Sequence, residues 1–367
     1  MAKFTFALGV VASLLFALAP ATAVQAKETS SKSSAAKKQT AKKQTSKKHT
    51  ARKASIAVRN ASPAASREKT VRRVVMVRGK RKVIYQKVAS VAVPMAAPMP
   101  TMGDLAGLNL TRDPLDLKSS VALVLDQSNA EVLFEKNSKV ALPIASITKM
   151  MTGLVVVEAG QDMDEVLTIT DDDVDRAKFS SSRLKVGSQL TRSNMLHIAL
   201  MSSENRAASA LGRNYPGGLP AFVNAMNSKA RQLGMKDTHY VDSNGLSKMN
   251  VASAHDLAKL AMAAFQQPLL RQYSTDPKAI VEASGHPMQF GNTNHLVANP
   301  GWEIGLQKTG FINEAGRCLL MQAVIEGRSV IMVFLDSKGK QSRTADAGRM
   351  RKWLEALKPA NMSLPGG

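Results

Sequence analysis

The chain has 367 residues, 50 Lys and Arg against 28 Asp and Glu, a formal net charge of +22 and a single cysteine. That length excludes a minimal domain and suffices for one sizeable core with extensions, and the lone Cys318 excludes an intrachain disulfide. The charge is unevenly placed: residues 27–90 hold twenty Lys or Arg and two acids, so the basic balance belongs to a tail and residues 91–367 carry only +3.

Residues 1–26 read as a secretory signal peptide. Lys3 supplies the charged start, residues 4–18 the apolar run, and the small residues from Pro20 to Ala26 the cleavage region. The run is shorter than the ~20 residues of a spanning helix, and no later segment is apolar enough to cross a bilayer, so the protein is expected to be exported. Residues 27–107 are expected to be a basic, largely disordered tail and linker. Within them 27–53 is low-complexity with Ala-Lys-Lys-Gln-Thr repeats and no aromatics. An exported chain meets little nucleic acid, and none is expected as a partner. Anionic cell-wall polymers or membrane headgroups suit such a tail, as does a plain solvated spacer. Two β-rich runs flanking Arg78-Gly79-Lys80-Arg81-Lys82 predict a short hairpin over 74–88, and 91–100 reads as linker. The folded domain is expected over 108–360, with 361–367 as a C-terminal tail.

That domain opens with strands at 120–126 and 131–135 around the turn Gln127 to Ala130. A helix carrying Ser146 and running to about Glu158 follows. The acids Asp171 to Asp175 invite a calcium-loop reading, but Arg176 stands where such a loop needs Gly and Ser182 where it needs a carboxylate, so a solvated acidic turn is predicted. A helix capped by Ser193 is predicted within 190–212, interrupted by the polar loop Ser202 to Arg206, then helices at 219–233 and 253–266 with the turn Asp242 to Leu246 between them. Strands at 302–311, 317–325 and 329–335 with tight links predict an antiparallel meander, and 343–357 a helix lying against it.

Three short motifs carry chemistry. Ser146 and Lys149, three apart on a helix, lie on one face. A serine becomes a nucleophile when a neighbour accepts its proton, and a lysine can do so if burial depresses its pKa. The apolar run Met150 to Val157 would bury it. Ser-x-x-Lys also begins at Ser34, Ser66, Ser182 and Ser337, so spacing alone decides nothing. Ser203-x-Asn205 between two apolar helices would project a hydroxyl and an amide. Lys308-Thr309-Gly310 in a strand would offer a cation, a hydroxyl and a close backbone approach.

In this order the three motifs match the set shared by penicillin-binding proteins and class A β-lactamases. Pro143 to Lys149, Leu200 to Ala208, and Asn292 to Leu296 ahead of Lys308 to Phe311 resemble the D-alanyl-D-alanine endopeptidases among the low-molecular-mass penicillin-binding proteins, over roughly 115–357. The resemblance implies an α/β fold: a five-stranded antiparallel sheet flanked by helices, plus a helical subdomain. It implies Ser146 as nucleophile, Lys149 as base and Ser203 as proton relay. Asn205 would hold Lys149 and the substrate amide, and Lys308, Thr309 and Gly310 the substrate. Lys308 would also keep the site positive and Lys149 neutral. The N–H groups of Ser146 and Phe311 would form the oxyanion hole. No cofactor or metal is implied; the location is the periplasm, and the partners are peptidoglycan stem peptides and β-lactams as covalent inhibitors.

Only 57 residues follow Gly310, which favours the compact endopeptidase type. Residues 206–281 contain no glutamate, so no Glu there activates a deacylating water, and penicillin should inhibit. A D-alanyl-D-alanine carboxypeptidase is the near alternative and a non-catalytic wall-binding protein the distant one. The six histidines show no paired spacing for a metallopeptidase.

Overall fold

The computed structural model describes residues 68–89 and 99–357, and the chain divides into two units between Ala92 and Val93. The expected signal peptide, most of the basic tail and residues 361–367 lie outside the described residues. In the first unit, strands Glu68–Val77 and Lys80–Ala89 pair antiparallel. The turn is shorter than the sequence suggested. Arg78 and Gly79 alone make it, with φ of 49° and 75°, the positive pair that matches strand twist in a two-residue hairpin. Lys80, Arg81 and Lys82 therefore belong to the second strand.

The second unit is built on one antiparallel sheet of β1 (Ser119–Asp126), β2 (Val132–Lys136), β3 (Glu303–Ile312), β4 (Gly316–Ile325) and β5 (Arg328–Ser337). Their order is β3-β4-β5-β1-β2. The early hairpin joins the late meander by pairing β1 with β5, Leu123 opposite Val333. That pairing leaves β3 at an edge. The helices are α1 (Thr148–Glu158), α2 (Arg192–Met201), α3 (Asn205–Arg213), α4 (Gly218–Gln232), α5 (Ala254–Phe265), α6 (Pro268–Thr275) and α7 (Ser342–Ala356).

Side chains alternate across a strand, so a sheet covered on both sides needs apolar residues at every position. β1 and β5 meet that demand. Val121, Leu123, Leu125, Ile331, Val333 and Leu335 face the larger core. Ala122, Val124, Val330, Met332 and Phe334 face a second core closed by Ala347, Met350 and Leu354 of α7. In the larger core α1 is buried at every position from Thr148 to Val156, the mark of a central helix. Gly153 allows its neighbours close: a Cβ there would lie 2.9 Å from Leu270 of α6 and 3.4 Å from Leu196 of α2.

Several expectations need correction. The cap of α2 is Thr191, whose hydroxyl accepts the Asn194 N–H at 3.1 Å; the Ser193 hydroxyl is taken by that of Tyr273. Leu190 sits in the short strand Gln189–Thr191, paired with Val166–Thr168. The acidic turn is only partly solvated, because Asp173 is buried against Arg213 of α3 at 2.9 Å. Helix α6 and the hairpin Lys278–Ala283 with His286–Gly291 were absent from the sequence reading. Secondary structure of this unit begins before Leu108, with a Thr101-capped turn of helix at Met102–Leu105.

Candidate active site

Strand Leu142–Pro143 pairs with Val251–Ala252, and the chain then turns through a 3-10 segment, Ala145–Ile147, into α1. Ser146 therefore lies in the turn ahead of the helix, not in the helix itself as the sequence suggested. Ala145 has φ 48°, a left-handed conformation that non-glycine residues rarely hold and that clusters at functional sites. Two glycines make room for this turn. A Cβ on Gly245 would lie 2.1 Å from the Ala145 carbonyl oxygen, and one on Gly310 would lie 2.8 Å from that of Ile144.

Lys149 is fully buried, and its Nζ lies 3.0 Å from Ser146 Oγ. It also lies 2.7 Å from Asn205 Oδ1 and in contact with the Asn244 carbonyl oxygen. A neutral amine has two N–H donors and one lone pair. Asn205 and Asn244 accept the two donors, which leaves the lone pair for the Ser146 hydroxyl to donate to. Burial lowers the Lys149 pKa to about 7, against the opposing pull of the negative charges on Asp242 and Glu204.

Ser203 has φ 63°, and its Oγ accepts from Lys308 Nζ at 2.9 Å. Lys308 is buried and also donates to the Thr309 carbonyl at 2.9 Å. Its pKa lies well below the ordinary lysine value, first through burial and then through the charges of Lys149 and Arg343. The Thr309 hydroxyl shares a 2.6 Å hydrogen bond with that of Thr293, whose N–H reaches the Met201 carbonyl at the end of α2. Gly310 runs past the Ser146 backbone, its missing Cβ position 3.2 Å from the Ser146 nitrogen. Phe311 follows it on the edge strand, half exposed. One cleft therefore gathers residues from α1, the α2–α3 junction and β3.

The family model described as D-alanyl-D-alanine carboxypeptidase matches residues 109–339. The chain belongs to this peptidase family. It is 49% identical over 269 residues to a D-alanyl-D-alanine endopeptidase of Pseudomonas aeruginosa, covering 72% of this chain and 84% of the relative. It is 43% identical over 245 residues to one of Escherichia coli, covering 66% and 79%. Among solved structures, a Streptomyces DD-transpeptidase superposes with a TM-score of 0.62 at 25% identity, over 67% of this chain and all of that one. A D-alanyl-D-alanine carboxypeptidase from Mycobacterium tuberculosis gives 0.61 at 26%, over 68% and 95%. The fold is that of the DD-peptidases.

This member of the family surrounds its motifs with residues that sequence reasoning missed. The Asp242 carboxylate accepts the N–H groups of Gly245 at 2.6 Å and Ser247 at 2.8 Å, which fixes the Asn244 carbonyl toward Lys149. Asp-Ser-Asn-Gly announces a turn but not where a carbonyl will point. Ser180 accepts from Asn205 Nδ2 at 3.0 Å and carries no signal in the sequence. Arg343 of α7 reaches through to the carbonyls of Gly310 at 2.8 Å and Cys318 at 3.3 Å, and burial lowers its pKa to about 10. A basic residue opening the last helix was its only trace.

Proposed function

We propose that this chain is a periplasmic serine D,D-endopeptidase that hydrolyses D-alanyl cross-links between peptidoglycan stem peptides. The observation that carries this reading is the buried amine of Lys149, 3.0 Å from Ser146 Oγ with Asn205 and Asn244 as its other partners. Ser146 Oγ attacks the D-Ala carbonyl carbon as its proton passes to Lys149 Nζ. The backbone N–H groups of Ser146 and Phe311 receive the oxyanion, a donor of this kind being worth about 3 kcal/mol in the transition state. The C–N bond then breaks as the proton held by Lys149 passes by way of Ser203 to the leaving amine, which returns Lys149 to its neutral form. Water attacks the resulting ester, gives its proton to Lys149, and restores the Ser146 hydroxyl. Lys308 and Thr309 hold the carboxylate beside the leaving amine, Gly310 lets the substrate backbone come close, and Asn205 offers its amide to the acyl side.

The identity to two proteins called D-alanyl-D-alanine endopeptidases supports cross-link cleavage over release of a terminal D-Ala. β-Lactams present the same carbonyl to Ser146. With no glutamate in 206–281 to activate water, the adduct leaves slowly and the drug inhibits. The basic segment 27–67 suits contact with the anionic wall or membrane surface. Digestion of purified cross-linked muropeptides tests the reading: monomers should appear, whereas loss of D-Ala alone would make the enzyme a carboxypeptidase.

A further inference from the structure

The hairpin of residues 68–89 is a two-stranded ribbon, and such a ribbon alone is marginal in water. Among its described side chains none is buried. Residues directly opposite in an antiparallel pair share a face, so the register decides which side chains gather. Val74 stands opposite Val83, Met76 opposite Arg81 and Arg72 opposite Tyr85. One face therefore carries Val74, Met76, Val83 and Tyr85 between two arginines. All four are exposed, Met76 at 65% and Tyr85 at 68%, and apolar side chains exposed side by side mark a surface made for contact.

The charge on this ribbon has one sign. From Lys69 to Ala89 there are eight Lys and Arg and no Asp or Glu, and Arg78, Lys80, Arg81 and Lys82 crowd the turn end. Each half of this character excludes a partner. A soluble anionic polymer answers the cations but gains nothing from covering Met76 and Tyr85. A second copy covers the apolar patch but sets its own Arg72 and Arg81 against the first pair, and like charges brought face to face are costly. Lys and Arg along both strands also discourage addition of another strand at the edges.

A bilayer surface with anionic headgroups answers both halves, with phosphates for the cations and the acyl boundary beneath for the apolar face. We propose that the hairpin lies on an anionic phospholipid bilayer, with Val74, Met76, Val83 and Tyr85 turned into the boundary between headgroups and acyl chains. Arg72, Arg81 and the cations of the turn then rest on lipid phosphates. Tyr85 suits this depth because its ring is apolar and its hydroxyl returns to the headgroups. Residues 27–67 hold no Phe, Tyr or Trp, so they add attraction at a distance while the hairpin supplies the insertion. Such anchoring does not depend on the peptidase chemistry.

Sedimentation of the chain from Lys27 onward with lipid vesicles tests this anchoring. Vesicles of phosphatidylglycerol and phosphatidylethanolamine should carry it down, and vesicles of phosphatidylcholine alone should not. Val74→Ser, Met76→Ser and Tyr85→Ser together keep every charge. At raised salt, where attraction at a distance is screened, this triple variant should bind the anionic vesicles about tenfold more weakly or worse, since fully burying even one such side chain is worth that much. Should the serines loosen the ribbon itself, a dye on the intact apolar face gives a second reading. Cys318 is buried, so a polarity-sensitive thiol dye goes to an introduced cysteine. On Met76→Cys its emission should shift to the blue with anionic vesicles, and on Ile84→Cys, across the ribbon, it should shift far less. Equal sedimentation with both vesicle types, unchanged affinity in the triple variant, or equal shifts from the two faces overturns the anchoring. So does self-association without vesicles that the serines abolish, which would give the face to a second copy.

Discussion

Lys149 would be a cation on any surface. Inside α1 it has no water, and its two best-placed acceptors, the Asn205 amide oxygen and the Asn244 carbonyl, are uncharged, so burial wins over the distant carboxylates and its pKa falls to about 7. The sign of the pH dependence follows. Acylation needs the neutral amine, so its rate should fall about tenfold per pH unit below 7 and level off above. On the alkaline side the rate should fall again as Lys308 loses its proton, and this should happen below the ordinary lysine value because burial disfavours its charge. Stopped-flow acylation by a fluorescent penicillin measures both limbs; a rate flat down to about pH 5 would remove Lys149 as the base. The Ser203 hydroxyl is aimed by a left-handed backbone that costs of order 1–2 kcal/mol in a non-glycine residue, with its Oγ meeting Lys308 across the cleft.

Among the elements, β3 does most to shape the cleft. It is the edge of the sheet, and it presses so closely on the Ser146 turn that only glycine fits at 310. Gly310→Ala would put a Cβ 2.8 Å from the Ile144 carbonyl oxygen. Overpacking of this sort costs typically 1–3 kcal/mol, or roughly 2–4 °C in Tm per kcal/mol for a domain of this size. Displacement of Ser146 should lower the acylation rate by far more than that loss of stability implies. A Gly310→Ala protein with unchanged Tm and unchanged acylation would show that the approach is slack. From behind, α7 braces the same strand through Arg343 on the Gly310 carbonyl. The elements with a plain period were legible in the sequence, namely the buried run of α1, the three late strands and α7. Helix α6 and the hairpin after it were not, because Pro268 opens a short helix and Ser284-Gly285 a tight turn within a stretch of mixed polarity.

At the scale of the molecule, the sequence revealed the site through residue types that chemistry demands, Ser146 with Lys149, Ser203 with Asn205, and Lys308 with Gly310. It hid the partners that act through backbone or through loops: the Asn244 carbonyl, Ser180, Thr293 and Arg343. A carbonyl has no residue signature, and contacts between segments far apart in the chain exist only once the sheet has closed β1 onto β5. The basic tail stands apart from that architecture in composition. Deleting residues 27–67 should weaken binding to isolated cell walls, with the remaining difference shrinking as salt is raised, and should leave turnover of soluble muropeptides intact. Equal wall binding with and without the tail would make it a spacer. The central claim is that Ser146 is acylated because a neutral Lys149 takes its proton. Peptide mapping by mass spectrometry after brief exposure to benzylpenicillin tests it directly. The account predicts one adduct, on Ser146, in the unaltered protein and none in Lys149→Arg, since arginine stays protonated. An adduct on another serine, or an undiminished one in Lys149→Arg, would contradict it.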